Sequence, residues 1–314
     1  MAEKVIIFTD LGIDDAFTLI YSFFRDDLEI LGIVADYGNV PREDVIRNIN
    51  YIKYVMHEEH VPVFLGASMP LTGIPAEYFP EVHGPVGLGP LIPPDISYPV
   101  YPLNDLYGIV DQHKNNLTII NLGRLSSLAT AFVLNLEKMR DLPYICMGGA
   151  FFYPGNITAV AEANFYSDPY AANLILEYAT NLTLIPLNIT QHAILTPEMV
   201  NHIDEYHQKT RDPGGLILKP MLDYYYNYYS RTMPGIKGSP IHDFMTVWYL
   251  LYQEFAQISK VPIKVVAEKG AAFGQSIADF RRKAEPAYKI HNVVFNFNYE
   301  TLQTTIMETL LKIR

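Results

Sequence analysis

The sequence predicts an α/β fold, one domain over residues 1–314 built on an open, mainly parallel sheet. Short apolar runs alternate with runs of helical period along the chain, the pattern of strands joined by crossover helices. Nearly every apolar run ends in Asp, Asn or Gly, and no repeat, low-complexity linker or charge block divides the chain. In a parallel sheet such ends gather on one edge, where ligands bind.

The first run starts at Val5 and stops at Asp10, Gly12 suggests a tight turn, and Ala16, Leu19, Ile20 and Phe23 follow at helical spacing. Residues 30–35 form a second strand running into Asp36, Gly38 and Asn39, and Val45, Ile49, Ile52 and Met56 mark a helix. A short strand at 62–65 closes at Gly66. Residues 68–102 are rich in Pro and Gly, an irregular stretch long enough to imply function or mobility. Strands follow at 117–121, before Gly123 and a helix from residue 125, and at 144–147, before Gly148 and Gly149. Asp168-Pro169 and Thr196-Pro197-Glu198 open helices, as cap followed by Pro at the first position, on either side of a strand at 182–187 that runs through to Asn188. Residues 211–240, with Tyr224, Tyr225, Tyr226, Tyr228 and Tyr229, read as a helix and then a loop. A helix at 243–255, late strands at 263–267 and 293–297 and a closing helix at 302–311 complete the chain.

Composition narrows the function. A net charge of -11 argues against a nucleic-acid polymer as partner and suits a small neutral substrate with a cation-dependent site. One cysteine, Cys146, rules out an intrachain disulfide and points to a reducing, cytoplasmic setting. No run approaches the roughly 20 apolar residues of a membrane span.

Asp10, Asp14 and Asp15 crowd one turn. Two carboxylates about 4 Å apart repel by roughly 4 kcal/mol at an effective dielectric near 20. Capping of the following helix is one use for Asp14 and Asp15. A hard cation, which prefers oxygen ligands, is another. Asn156, Glu162 and Asn164 suit hydroxyl groups, and His242-Asp243 offers a second acid beside an imidazole. An aspartate-nucleophile phosphatase is disfavoured, because Phe8 with Leu11 and Gly12 supplies no Asp-x-Asp pair at the strand end.

Together these stretches resemble the calcium-dependent, inosine-uridine preferring nucleoside hydrolases. The family opens with Asp-x-Asp-Pro-Gly-x-Asp-Asp, and residues 8–15 here read Phe-Thr-Asp-Leu-Gly-Ile-Asp-Asp. Gly38-Asn39, His83-Gly84, Gly123 to Ser127, Met147-Gly148-Gly149, Gly155-Asn156, Glu162, Asn164, Asp168-Pro169 and His242-Asp243 follow in the family's order. The resemblance implies a Rossmann-like sheet with helices on both faces, and hydrolysis of the N-glycosidic bond of ribonucleosides. It implies Ca²⁺ held by Asp10, Asp15, Asp243 and the carbonyl of Ser126, with Asp10 also the base that activates the bound water. Asp14, Asn39, Asn156, Glu162 and Asn164 would bind the ribose, His242 would be the leaving-group acid, and His83 with Tyr228 or Tyr229 would lie near the base. Family members are commonly homodimers or homotetramers. The chain departs from the pattern at Phe8, where the family has Asp, and at Leu11 and Arg124, where it has Pro. The loss of an acid at Phe8 allows a second reading, a weak or inactive homologue that binds nucleosides or ribosyl compounds.

Overall fold

In the computed structural model, which describes residues 2–281 and 288–312, the central strand is β1 (Glu3–Thr9). Its side chains alternate between two cores. Val5 and Ile7 enter one apolar cluster, and Ile6 and Phe8 enter the other. A parallel strand covered on both faces needs this uniformly apolar pattern.

The chain then lays down β2 (Leu28–Ala35), β3 (Val63–Leu65) and β4 (Val100–Pro102) outward on one side of β1. It returns to place β5 (Leu117–Asn121), β6 (Pro143–Met147) and β7 (Asn181–Ile185) on the other side. Strands β8 (Ile194–Leu195) and β9 (Ser239–Pro240) form a separate antiparallel pair. Strand β10 (Ala256–Val265), β11 (Ser276–Ala278) and β12 (Lys289–Phe297) extend the main sheet past β7. The order is β11-β10-β12-β7-β6-β5-β1-β2-β3-β4. Every pair from β12 to β4 is parallel, and β10 pairs antiparallel with both β11 and β12. Strand order reverses between β1 and β5, so their carboxyl ends border the crevice where open α/β sheets bind ligands.

The helices Ile13–Phe23 and Phe244–Leu251 are buried almost throughout beneath one face of the sheet. Trp248 donates from its indole to Thr305 Oγ1 at 2.9 Å, tying the closing helix Tyr299–Leu310 to that layer. Ser126–Leu134 and Pro169–Tyr178 cover the other face.

Several local expectations change. The 68–102 stretch holds a one-turn helix, Pro80–His83, and the edge strand β4. The helix expected at 243–255 ends at Leu251, and Gln253–Phe255 is a short 3₁₀ turn. Strand β10 begins seven residues before the expected 263, because its first half pairs with β12 while remaining largely exposed. No helix among the described residues is long and apolar enough to cross a membrane.

Candidate active site

A cavity of about 560 Å³ opens at the carboxyl ends of β1 and β5. Asp10, Asp14, Asn39, His83, Asn156, Glu162, Asn164, Tyr229, His242 and Asp243 all line it. Asp15 and Ser126 lie behind its wall.

Asp10 follows β1 directly. A Cβ on Gly38 or on Gly123 would collide with its carboxylate, so these two glycines let the loops after β2 and β5 close around it. Asn39 Nδ2 donates to Asp10 Oδ1 at 3.3 Å and to Asp15 Oδ2 at 3.2 Å. The turn expected at Gly12 is made instead by Leu11, which takes the positive φ of 25°. Gly12 is extended, and it must be Gly because a Cβ there would strike His83 and Asn39. A proline could not adopt the Leu11 conformation.

Both readings of the opening acids are realised, on different residues. Asp15 caps the helix Ile13–Phe23, with Oδ2 accepting from Gly12 N at 2.8 Å and Oδ1 from Thr9 Oγ1 at 2.6 Å. Asp14 Oδ1 is buried and has no hydrogen-bond partner among the described residues. Asp14, Asp15 and Asp243 place one carboxylate oxygen each within 4.8 Å of one another, a cluster able to hold a metal ion. Burial is the main force raising the pKa of each acid. It takes Asp14 to about 7, helped by the charge of Asp15. Burial and the neighbouring acids push Asp243 well above the carboxylate range, and Asp10 likewise, against the pull of Arg124. Buried acids this close need protons or a cation.

Glu162 caps the helix Ala163–Ser167. Its oxygens accept from the backbone N–H groups of Asn164 (2.7 Å), Gly149 (2.9 Å) and Phe165 (3.2 Å), while burial raises it to about 7. Asn164 donates to the carbonyls of Leu122 (2.8 Å) and Met147 (3.3 Å), leaving Oδ1 for a ligand. Asn156 Oδ1 accepts from Ala163 N at 2.9 Å, leaving its amide N–H groups.

A neutral histidine–tyrosine chain adjoins the acids, with His83 Nδ1 4.0 Å from Asp14 Oδ1. His242 Nδ1 lies 2.8 Å from Thr190 Oγ1 and its Nε2 lies 3.1 Å from the Tyr229 hydroxyl. Tyr229 continues to Tyr225 at 3.5 Å. Burial lowers His242 to about 4, so the ring is neutral at pH 7. His83 is held to about 3 by burial and by His242. Its Nδ1 accepts from Ile13 N at 3.0 Å, which puts its proton on Nε2.

The irregular stretch before β4 is tied over this site. Arg124 Nη2 donates to Glu77 O at 2.8 Å, Leu71 N to Asp168 Oδ2 at 2.6 Å, and Tyr224 to Pro80 O at 3.1 Å. Arg124 also lies 5.0 Å from the Tyr37 ring centre. Arg124, where the resemblance expects Pro, thus anchors the segment that carries His83. Ser126 opens its helix, with Oγ donating to Asp168 Oδ2 at 2.7 Å and its carbonyl accepting from Thr130 Oγ1 at 2.8 Å. Phe8 is buried in the apolar cluster with Ile6, Val34 and Leu128. A further buried acid, Asp36, sits near Asp10 and raises it, while accepting from the N–H groups of Tyr37 (2.9 Å) and Ser127 (3.1 Å).

Sequence reading missed Thr190 and Gln191 as site residues, and the tyrosine run 224–229 does bring Tyr225 to the cavity wall. Both missed residues follow β7, so the strand-end rule that singled out Asn188 extends to them. Asn188 itself faces away, accepting from Phe151 N at 3.1 Å.

The model for the inosine-uridine preferring nucleoside hydrolases matches residues 5–304. Uridine nucleosidase 1 of Arabidopsis thaliana is 29% identical over 288 residues, covering 88% of this chain and 82% of that protein. The inosine-uridine preferring nucleoside hydrolase of Leishmania major is 27% identical over 292 residues, covering 90% and 89%. The structure of a purine-preferring ribonucleoside hydrolase from Gardnerella vaginalis superposes with a TM-score of 0.88 at 25% identity, over 98% of each chain. With its acids at the switch point of the sheet and its match running nearly end to end, this chain belongs to the inosine-uridine preferring nucleoside hydrolase family.

Proposed function

We propose that the protein, acting as one unit over residues 1–314, hydrolyses the N-glycosidic bond of ribonucleosides to free base and ribose, with Ca²⁺ as its ion. The observation that carries this reading is what the cavity brings together: buried carboxylates and, beside them, a neutral histidine–tyrosine chain.

Asp10, Asp15 and Asp243 would hold the ion, with the carbonyl of Ser126 as a further oxygen ligand. The orphaned Asp14 oxygen and the raised acids fit a site that takes a cation or a donor-rich ligand. Calcium would supply a hold on the ribose hydroxyls and acidify a water beside them. Asp14, Asn39, Asn156, Glu162 and Asn164 orient the ribose. Asp10 takes a proton from the attacking water. Cleavage builds positive charge on the ribose, and the acidic wall stabilises it. His242, as the leaving-group residue, gives the departing base a hydrogen bond from its neutral ring, which is linked to Tyr229 and Thr190. His83, with its proton on Nε2, donates nearby. Residence in the cytoplasm and assembly as a homodimer or homotetramer accompany this proposal, by family resemblance and the single buried Cys146.

A second reading, a weakly active binder of nucleosides or ribosyl compounds, is favoured by Phe8, which fills with a ring the place of an acid. Incubation with inosine, uridine, cytidine and adenosine, with Ca²⁺ or chelator, separates the two. Ribose release that depends on Ca²⁺ supports the hydrolase. Binding without release selects the binder.

A further inference from the structure

Gln191 follows the short helix Leu187–Thr190 after β7, and its amide lines the cavity near Tyr229 and His242. The residue is only 8% exposed, yet its side chain makes a single contact, Nε2 to Met233 Sδ at 3.5 Å. A thioether can only accept, so the hydrogen bond here has the amide nitrogen facing Met233. That fixes the other end. Oε1 is left as an acceptor with no partner among the described residues. The helix turn here is closed by the backbone, Gln191 N donating to Leu187 O at 2.9 Å, so the side chain is not needed for it. An amide oxygen that no protein group bonds, on a residue that lines the cavity, is open to a donor from a ligand. The neighbours divide the work: Thr190 is bonded to His242, and Gln191 is free.

We infer that Gln191 reads the edge of the nucleobase remote from the ribose, with Oε1 accepting from an N–H there. The site then takes bases that carry such a donor: the ring N–H of uracil or hypoxanthine, or the amine of cytosine or adenine. A base with only a lone pair on that edge meets the oxygen without a proton between them. This rests on the nucleoside reading above. Met233 acts with it as a positioning residue, since its sulfur orients the amide.

The test measures binding by calorimetry and ribose release in parallel. Inosine is compared with purine riboside, which lacks the ring N–H and adds no bulk, and uridine with 3-methyluridine. The unmodified protein is expected to bind the donor-bearing member of at least one pair about 10- to 100-fold more tightly, the range of one buried hydrogen bond. Gln191→Leu should remove that preference, and Gln191→Glu, which keeps an acceptor oxygen, should preserve it. Equal binding of both members of each pair by the unmodified protein overturns the inference, as does a preference that survives in Gln191→Leu. Selective binding without ribose release would uphold Gln191 as the base reader while rejecting the hydrolase.

Discussion

The two ends of the cavity are built in opposite ways. At the ribose end, carboxylates sit on strand ends and first helical turns, locked by backbone donors and by glycines that admit no Cβ. On the other side, where the base is proposed to lie, His242, Gln191 and the Tyr225–Tyr229 pair of one helix come from three segments and are held by side-chain contacts, His242 to Tyr229 and Gln191 to Met233. The first end resists change because the sheet's own geometry defines it. The second rests on side-chain pairs that a single substitution removes, which would suit the proposed base pocket.

The largest expected effect falls on the rigid end. Asp10→Ala should lower ribose release by about 10³- to 10⁴-fold, the upper range for loss of a positioned base, with KM and kcat measured on inosine and uridine. Ribose release unchanged within a factor of ten would break the assignment of Asp10. Phe8→Asp tests how firmly the same end is packed. It replaces a buried ring with a carboxylate inside an apolar cluster, so a loss of about 3–5 kcal/mol in denaturant unfolding is expected, with no gain in turnover. A stable, faster Phe8→Asp protein would show that the acid can reach the site. At the base end, His242→Ala should cost about 10²-fold in kcat, and less for a riboside whose leaving group is p-nitrophenol, because that group departs without a proton. An equal loss on both substrates would assign His242 to packing.

The smallest effect concerns the charge of the acids. Asp14 has a folded-state pKa raised to about 7, and Asp10 and Asp243 are raised too. Their protonated forms favour the folded state, so the stability they contribute is present at low pH and is lost as pH rises through about 7. On the proposed reading, a bound Ca²⁺ would take the place of those protons. The rise in Tm on adding Ca²⁺ should therefore be larger at pH 8 than at pH 5.5, by a few degrees. A rise that is the same at both values would separate the ion from this cluster.

Much of the acid cluster was legible because its residues are local in sequence. Asp10, Gly12, Asp14 and Asp15 lie within one strand–turn–helix, and strand ends of a parallel sheet share an edge whatever the order of the strands. The base end was not legible in this way. Gln191 carries no motif, and its free oxygen exists only because Met233, forty-two residues later, takes the nitrogen.

By itself the sequence determined the alternation of elements, the mainly parallel sheet, and the rim of Asp, Asn and Gly at its edge, because period and strand-end chemistry are properties of short stretches. Only the tertiary structure decided the strand order, the switch point between β1 and β5, and the division of labour between Asp15 as cap and Asp14 as open acid. It also placed Phe8 in an apolar core and turned Arg124 toward the segment that carries His83. Those outcomes depend on which segments meet, and burial and hydrogen-bond satisfaction are settled only at such meetings.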